Sequence, residues 1–113
     1  FAGADRVAAN GDTANKIGTF NLAILSHYHK IPFYIVAPVS TFDLKLKSGK
    51  GIPIEHRKPR EVIHLQSKKV AHSRVKVYNP AFDVTPDKFI RAFVTEKGLI
   101  KPPFDKNIPN VIS

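Results

Sequence analysis

"GADRVAANGDTANKIGT", residues 3–19, decides how the chain begins to fold, because it joins a short apolar opening to a long apolar stretch and carries a lysine near its end. Asn10-Gly11 is a turn signal. Asp12 then stands where a helix N-cap belongs. After it, Ile17, Phe20, Ile24 and Tyr28 recur at spacings of three and four, with Leu25 widening the stripe. The spacing predicts a helix from Asp12 to near Lys30, ended by Pro32. Lys16 falls in or beside its first turn, where free N–H groups carry partial positive charge and repel a cation by about 0.3–1 kcal/mol. A bound phosphate reverses the sign, since dipole, N–H groups and ammonium then act together. Solvent is the alternative destination for that ammonium, carried out on its long stem.

Outward from this stretch, Phe1–Ala4 reads as the end of a buried strand, and "PFYIVAP" (32–38), β-branched and aromatic between prolines, reads as another. Strand, helix, strand fits a parallel crossover. From Val39 to Arg74 the pattern loosens, with "GIPIE" (51–55) and "EVIHL" (61–65) as short strands or turns. "VKVYNP" (75–80) reads as a strand ending at Pro80. Thr85 as N-cap, Pro86 at the first helical position and Gly98 past the end predict a second helix from Pro86 to Glu96. Its apolar face is Phe89, Ile90, Phe93 and Val94. "LIKPP" (99–103) follows as a final short strand before an irregular tail.

Hydrophobic residues make up 42% of the 113 and charged residues 24%, which is the composition of one globular domain. No cysteine is present, so this stretch holds no disulfide, thiolate zinc site or cysteine nucleophile. The net charge of +9 is concentrated between Lys45 and Lys76. Those cations are scattered among Pro, Gly and Ser without interleaved aromatics or zinc-finger spacing, so they read as a solvated face, and no nucleic acid is expected. No apolar run approaches the ~20 residues that cross a bilayer, so no membrane partner and a cytoplasmic address are expected. The opening at Phe1, inside an apolar run, reads as a piece of a longer chain.

In open α/β sheets ligands bind beyond the carboxyl ends of the strands. Asp5 lies at such an end, although it also suits capping a turn or pairing with Arg6. Asn15 can donate and accept hydrogen bonds to a hydroxylated ligand. Asp12 counts against a phosphate unless its carboxylate turns back to cap the helix. Asp83 suits either a cap of the helix after it or the wall of the same crevice. Arg57 suits a phosphate or a surface carboxylate, and Asp43 is a weaker candidate. His27, His29, His56, His64 and His72 show no ligand spacing, so neither metal nor cofactor is expected.

"GADRVAANGDTANKIGT", "IPFYIVAPVSTFD" (31–43), "IPIEHR" (52–57) and "VYNPAFDVTP" (77–86) together resemble the methylthioribose-1-phosphate isomerase family of methionine salvage. The resemblance implies an α/β, Rossmann-like, mostly parallel sheet with flanking helices. Residues 1–113 would form the C-terminal part of a catalytic domain whose first strands and N-terminal region lie outside this chain. Carried over by position, Asp5 matches the proton donor, and Asn15 and Lys16 match substrate-binding residues. The family's catalytic cysteine and its upstream arginines and glutamine have no counterpart here, so the segment alone is not expected to turn over and its partner is the remainder of the same subunit, in a homodimer.

The reaction implied is 5-methylthioribose 1-phosphate to 5-methylthioribulose 1-phosphate. Phosphate on the anomeric oxygen blocks simple ring opening, so an acid must protonate the ring oxygen, and a carboxylic acid buried among apolar groups suits that step. Hydrogen then moves from C2 to C1 through an enediol or as a hydride, a choice the sequence leaves open. Related proteins with an "NKIGT" core include ribose-1,5-bisphosphate isomerase and non-catalytic regulatory subunits related to translation initiation factor 2B, which stand as the alternative. The complete "GADR" and "GDTANKIGT" favour the enzyme.

Overall fold

Asn10-Gly11 turns the chain back on itself instead of leading into a helix. In the computed structural model, which describes residues 1–113, Gly11 takes a positive φ of 98°. The turn joins β1 (Arg6–Ala8) to β2 (Thr13–Lys16), antiparallel, with Arg6 opposite Ala14 and Val7 opposite Thr13. An Asn-Gly pair between apolar residues is a hairpin signal. Thr13 and Ala14, at 0% and 1% exposure, are buried by the strand geometry. Asp12 is therefore not an N-cap. Its carbonyl accepts the Ala8 N–H at 2.9 Å inside the hairpin.

The helix, α1 (Thr19–Tyr28), starts seven residues later than the spacing predicts, after Gly18 in the left-handed region at φ 102°. Its buried face also differs from the expected stripe. Thr19 and Ala23 point inward, four residues apart, whereas Ile24, Leu25 and Tyr28 are exposed, as is Ile17 ahead of the helix. Of the expected stripe, Phe20 packs inside the chain, against Phe89 with ring centroids 5.8 Å apart.

"PFYIVAP" forms β3 (Tyr34–Val36) as expected. Ala2 bridges to Ile35 in parallel, with Ala2 N–H donating to the Tyr34 carbonyl at 3.0 Å and Val36 N–H to the Ala2 carbonyl at 2.8 Å. The opening strand and β3 are thus parallel neighbours across α1. Next, β4 (Phe42–Asp43) runs parallel to β1. The loosely patterned region holds a 3₁₀ turn at Gly49–Gly51, the single-turn helix α2 (Arg60–Ile63), and a hairpin of β5 (His64–Leu65) with β6 (Lys68–Lys69).

Two expectations fail after this. Residues 75–80 form no strand; Pro80 makes only a bridge to His56, and the strand is β7 (Phe82–Thr85). It runs antiparallel to β2, setting Asn15 opposite Asp83 and Lys16 opposite Phe82. The helix predicted from Pro86 to Glu96 is a 3₁₀ turn, Asp87–Phe89, followed by β8 (Ala92–Thr95). Pairing decides this: β8 lies parallel to β3 and antiparallel to β9 (Gly98–Ile100), so its backbone donors are satisfied by two neighbours. The tail is not irregular, since α3 (Phe104–Ile112) buries Phe104 and Ile108.

The α/β class holds, but the sheet is mixed and not mostly parallel: in the order β4-β1-β2-β7 only β1–β4 is parallel and in β3-β8-β9 only β3–β8. Short turns such as Asn10-Gly11 join β1 to β2 and β8 to β9 directly and so make them antiparallel. Ile35 and Phe93 lie at the centre of the second order, both 0% exposed. Phe93 meets Phe104 edge to face at 4.8 Å, which ties α3 to the sheet.

Two glycines with positive φ separate backbone strain from packing. A Cβ on Gly11 would stand 2.7 Å from Cδ2 of the buried Phe104, whereas a Cβ on Gly98 (φ 116°) would meet nothing within 4 Å. Gly98→Ala should cost about 1–2 kcal/mol, the left-handed penalty alone. Gly11→Ala should cost about 2–5 kcal/mol, since overpacking adds to that penalty. Urea unfolding of the two variants measures the difference, and equal losses would refute the Gly11–Phe104 contact.

Candidate functional site

Asp5 follows the carboxyl end of the opening strand, the edge at which open α/β sheets bind ligands. Its backbone N–H donates to the Ala14 carbonyl at 2.8 Å, which ties it to β2 beside Asn15. The Asp5 residue is exposed and does not pair with Arg6, which lies 4.0 Å from Asp43 instead. Lys16 ends β2, also exposed and without an ion pair. The three sequence-predicted residues thus share one end of the β1–β2 ladder. None of the clefts within this chain encloses them. The nearest thing to a basic cleft, about 300 Å³, lies elsewhere, between the end of α1 and the turn before β8, lined in part by Lys30, Lys88 and Arg91.

From Asn15 to Thr19 the chain passes from strand to helix through a short relay. The Asn15 amide donates to Thr19 Oγ1 at 3.0 Å, and the Thr19 hydroxyl donates to the Lys16 carbonyl at 2.7 Å. Asp83 completes it from β7. One carboxylate oxygen, Oδ2, accepts the N–H groups of Gly18 at 2.9 Å and Phe20 at 3.1 Å. Asp83 therefore caps α1, the helix far before it in sequence, and not an element after it. Two of the N–H groups expected to greet a phosphate are already taken by a carboxylate, so the helix end is not the free anion site that the spacing suggested. Lys16 keeps its charge at the strand end, off the helix altogether.

Asp12 anchors the opposite side of the hairpin. Its carboxylate accepts Gly49 N–H at 2.8 Å, Asp87 N–H at 2.9 Å and the Asn10 amide at 3.1 Å. Burial opposes its ionisation, but these donors outweigh that and hold its pKa below the ordinary 3.8. Asp87 shifts the other way, raised by burial and then by the Asp12 charge. Sequence reasoning missed Asp12 as an anchor, because the partners at 49 and 87 are remote. Arg57 takes the second of its two readings, a surface carboxylate: its guanidinium forms a bidentate pair with Glu61 at 2.6 and 3.1 Å. His27 packs edge-on to Phe89 at 5.2 Å and His56 lies near Tyr78 at 5.9 Å. No three His, Asp or Glu side chains gather closely enough to hold a metal ion.

Comparison with known proteins matches the model of the initiation factor 2 subunit family to residues 1–102. The chain is 58% identical over 110 residues to methylthioribose-1-phosphate isomerase from Pelotomaculum thermopropionicum, covering 97% of this chain and 30% of that protein. Among solved structures it is similar to 5-methylthioribose 1-phosphate isomerase from Pyrococcus horikoshii OT3, with a TM-score of 0.88 and 53% identity over 96% of this chain and 30% of that one. It is also similar to translation initiation factor eIF-2B, subunit delta, from A. fulgidus, with a TM-score of 0.87 and 43% identity over 97% of this chain and 32% of that one. The chain thus spans about a third of the length of the relatives it matches.

The Asp12–Asp87 pair gives a pH prediction. A lowered folded-state pKa at Asp12 contributes stability above the unfolded value of 3.8, lost as pH falls through the folded value. The raised pKa at Asp87 works in the opposite sense, favouring the fold below 3.8 and losing that contribution as pH rises through the folded value. Asp87→Asn should therefore raise the unfolding midpoint at about pH 7 and lose its advantage near about pH 3, where both forms are uncharged. Thermal melts across that range test it; an advantage that persists in acid would refute the charge coupling.

Proposed function

Because the chain belongs to the initiation factor 2 subunit family, we propose that it forms part of an aldose–ketose isomerase converting 5-methylthioribose 1-phosphate to 5-methylthioribulose 1-phosphate. The observation that carries the reading is the main-chain tie between Asp5 and β2: the 2.8 Å bond to Ala14 sets residue 5 beside Asn15 at the end of the ladder where Lys16 also lies, and these are the residue types that acid catalysis and sugar-phosphate binding need. In this reading Asp5 protonates the ring oxygen so that the sugar opens. Lys16 meets the phosphate, and Asn15, steadied by Thr19, hydrogen-bonds the sugar.

General-acid work also needs a site closed to water. Asp5 is open to solvent in these residues, so its cover comes from the remainder of the subunit or from its homodimer partner, together with the further groups the chemistry requires. The similarity to eIF-2B subunit delta favours a second reading, a regulatory subunit that binds a sugar phosphate or nucleotide without turning it over. A direct isomerase assay on the intact protein separates the two.

Asp5→Asn in the intact protein should keep substrate affinity within about tenfold and lose nearly all turnover, because shape survives while the proton is deleted. Lys16→Ala should weaken phosphorylated ligands by about 1.5–3 kcal/mol, the range for a charge-assisted bond, and leave the unphosphorylated sugar unaffected. Calorimetry with both sugars checks the second, and equal binding of the two by the parent protein would remove Lys16 from its role.

A further inference from the structure

Asp83 is a carboxylate with no part in the reaction as read above, yet it sits opposite Asn15 in the β2–β7 ladder. We infer that Asp83 is a positioning residue for Asn15, holding the strand-to-helix turn whose Thr19 hydroxyl receives the Asn15 amide; the inference rests on the proposed function. Lys16, Ile17 and Gly18 are exposed, and a Cβ at Gly18 would meet nothing within 4 Å, so packing does not fix this turn. Hydrogen bonds do. Gly18 and Phe20 both donate to Asp83 Oδ2, Ile17 N–H reaches the Ala81 carbonyl only at 3.4 Å, and the Thr19 hydroxyl closes on Lys16.

Removing the carboxylate leaves the long bond and the Thr19 link to hold the turn. Thr19 is also what orients the Asn15 amide, so its loosening passes to Asn15 directly. The main-chain ladder, by contrast, survives: four residue pairs between β2 and β7 do not involve the Asp83 side chain. A cap whose only task was stability would change melting alone. Asp83 Oδ1 is buried without a hydrogen-bond partner, so the carboxylate is committed to the turn through Oδ2 alone.

The test measures isomerase KM and kcat with the phosphorylated substrate for the intact protein and for Asp83→Ala, Asp83→Asn and Lys16→Ala. Asp83→Ala should raise KM about tenfold with kcat within about threefold, the signature of displaced binding groups that leave the acid in place. Asp83→Asn keeps one neutral oxygen for the two N–H groups and should recover only part of that loss, leaving KM raised about two- to fivefold. A folded Asp83→Ala protein with unchanged KM overturns the inference. If Asp83→Ala does not fold, Asp83→Asn decides: a KM raised by about two- to fivefold supports the inference, and an unchanged KM overturns it. Lys16→Ala separates the two levels. If it raises KM and the Asp83 variants do not, only the positioning role fails; if it leaves KM unchanged, or the parent protein does not isomerise, the functional reading fails and takes this one with it.

Discussion

One oxygen of Asp83, shared between the N–H groups of Gly18 and Phe20, determines where the first helix begins. A helix start leaves N–H groups without intrahelical partners, and here the acceptor comes from a strand 65 residues away. Gly18 offers no side chain to cap with, so the remote carboxylate is the cap. With the helix held to Thr19, Asn15 and Lys16 stay in β2. The apparent oddity of a lysine against a helix dipole disappears, because Lys16 belongs to a strand and a negative charge already satisfies the helix end.

The strand at Tyr34–Val36 was legible because prolines bound it and its residues are β-branched or aromatic; its parallel neighbour at Ala2 followed from the crossover rule. The segment Pro86–Glu96 was not, because its local signals and its pairing disagree. Thr85, Pro86 and Gly98 are helix punctuation, and Phe89, Ile90, Phe93 and Val94 fit one helical face. Yet Ile90 and Phe93 are buried just as well from a turn and a strand lying beside β3. The residues assigned to the core were largely right while their period was wrong, since tertiary pairing overrides propensity. α3 went unread because Pro109 lies inside it and prolines precede it.

The same limit explains the misplaced stripe on α1. That helix is apolar on every side, so its sequence has no preferred inward direction to read. Ala23, small enough to let α1 approach the sheet, takes the inner face; Leu22, Ile24 and Leu25 are left outside, 42–55% exposed. A surface of that kind is unusual for a finished domain. It accords with a chain spanning about a third of its relatives' length.

Asp5, Asn15 and Lys16 stand out by position and the resemblance implies their roles, but spacing alone suggests a different physics for them. Spacing assigned phosphate affinity to a helix dipole, free N–H groups and an ammonium acting together. The fold assigns two of those N–H groups to Asp83, whose charge would repel a phosphate placed at the same point. An anion bound by Lys16 must therefore sit toward the strand end and away from the helix axis, on the side where the backbone bond of Asp5 to Ala14 keeps the candidate acid. The internal carboxylate thus does more than satisfy a helix: by filling its amino end, it leaves the strand-end ammonium, on the proposed reading, as the group to draw a substrate's charge toward Asp5.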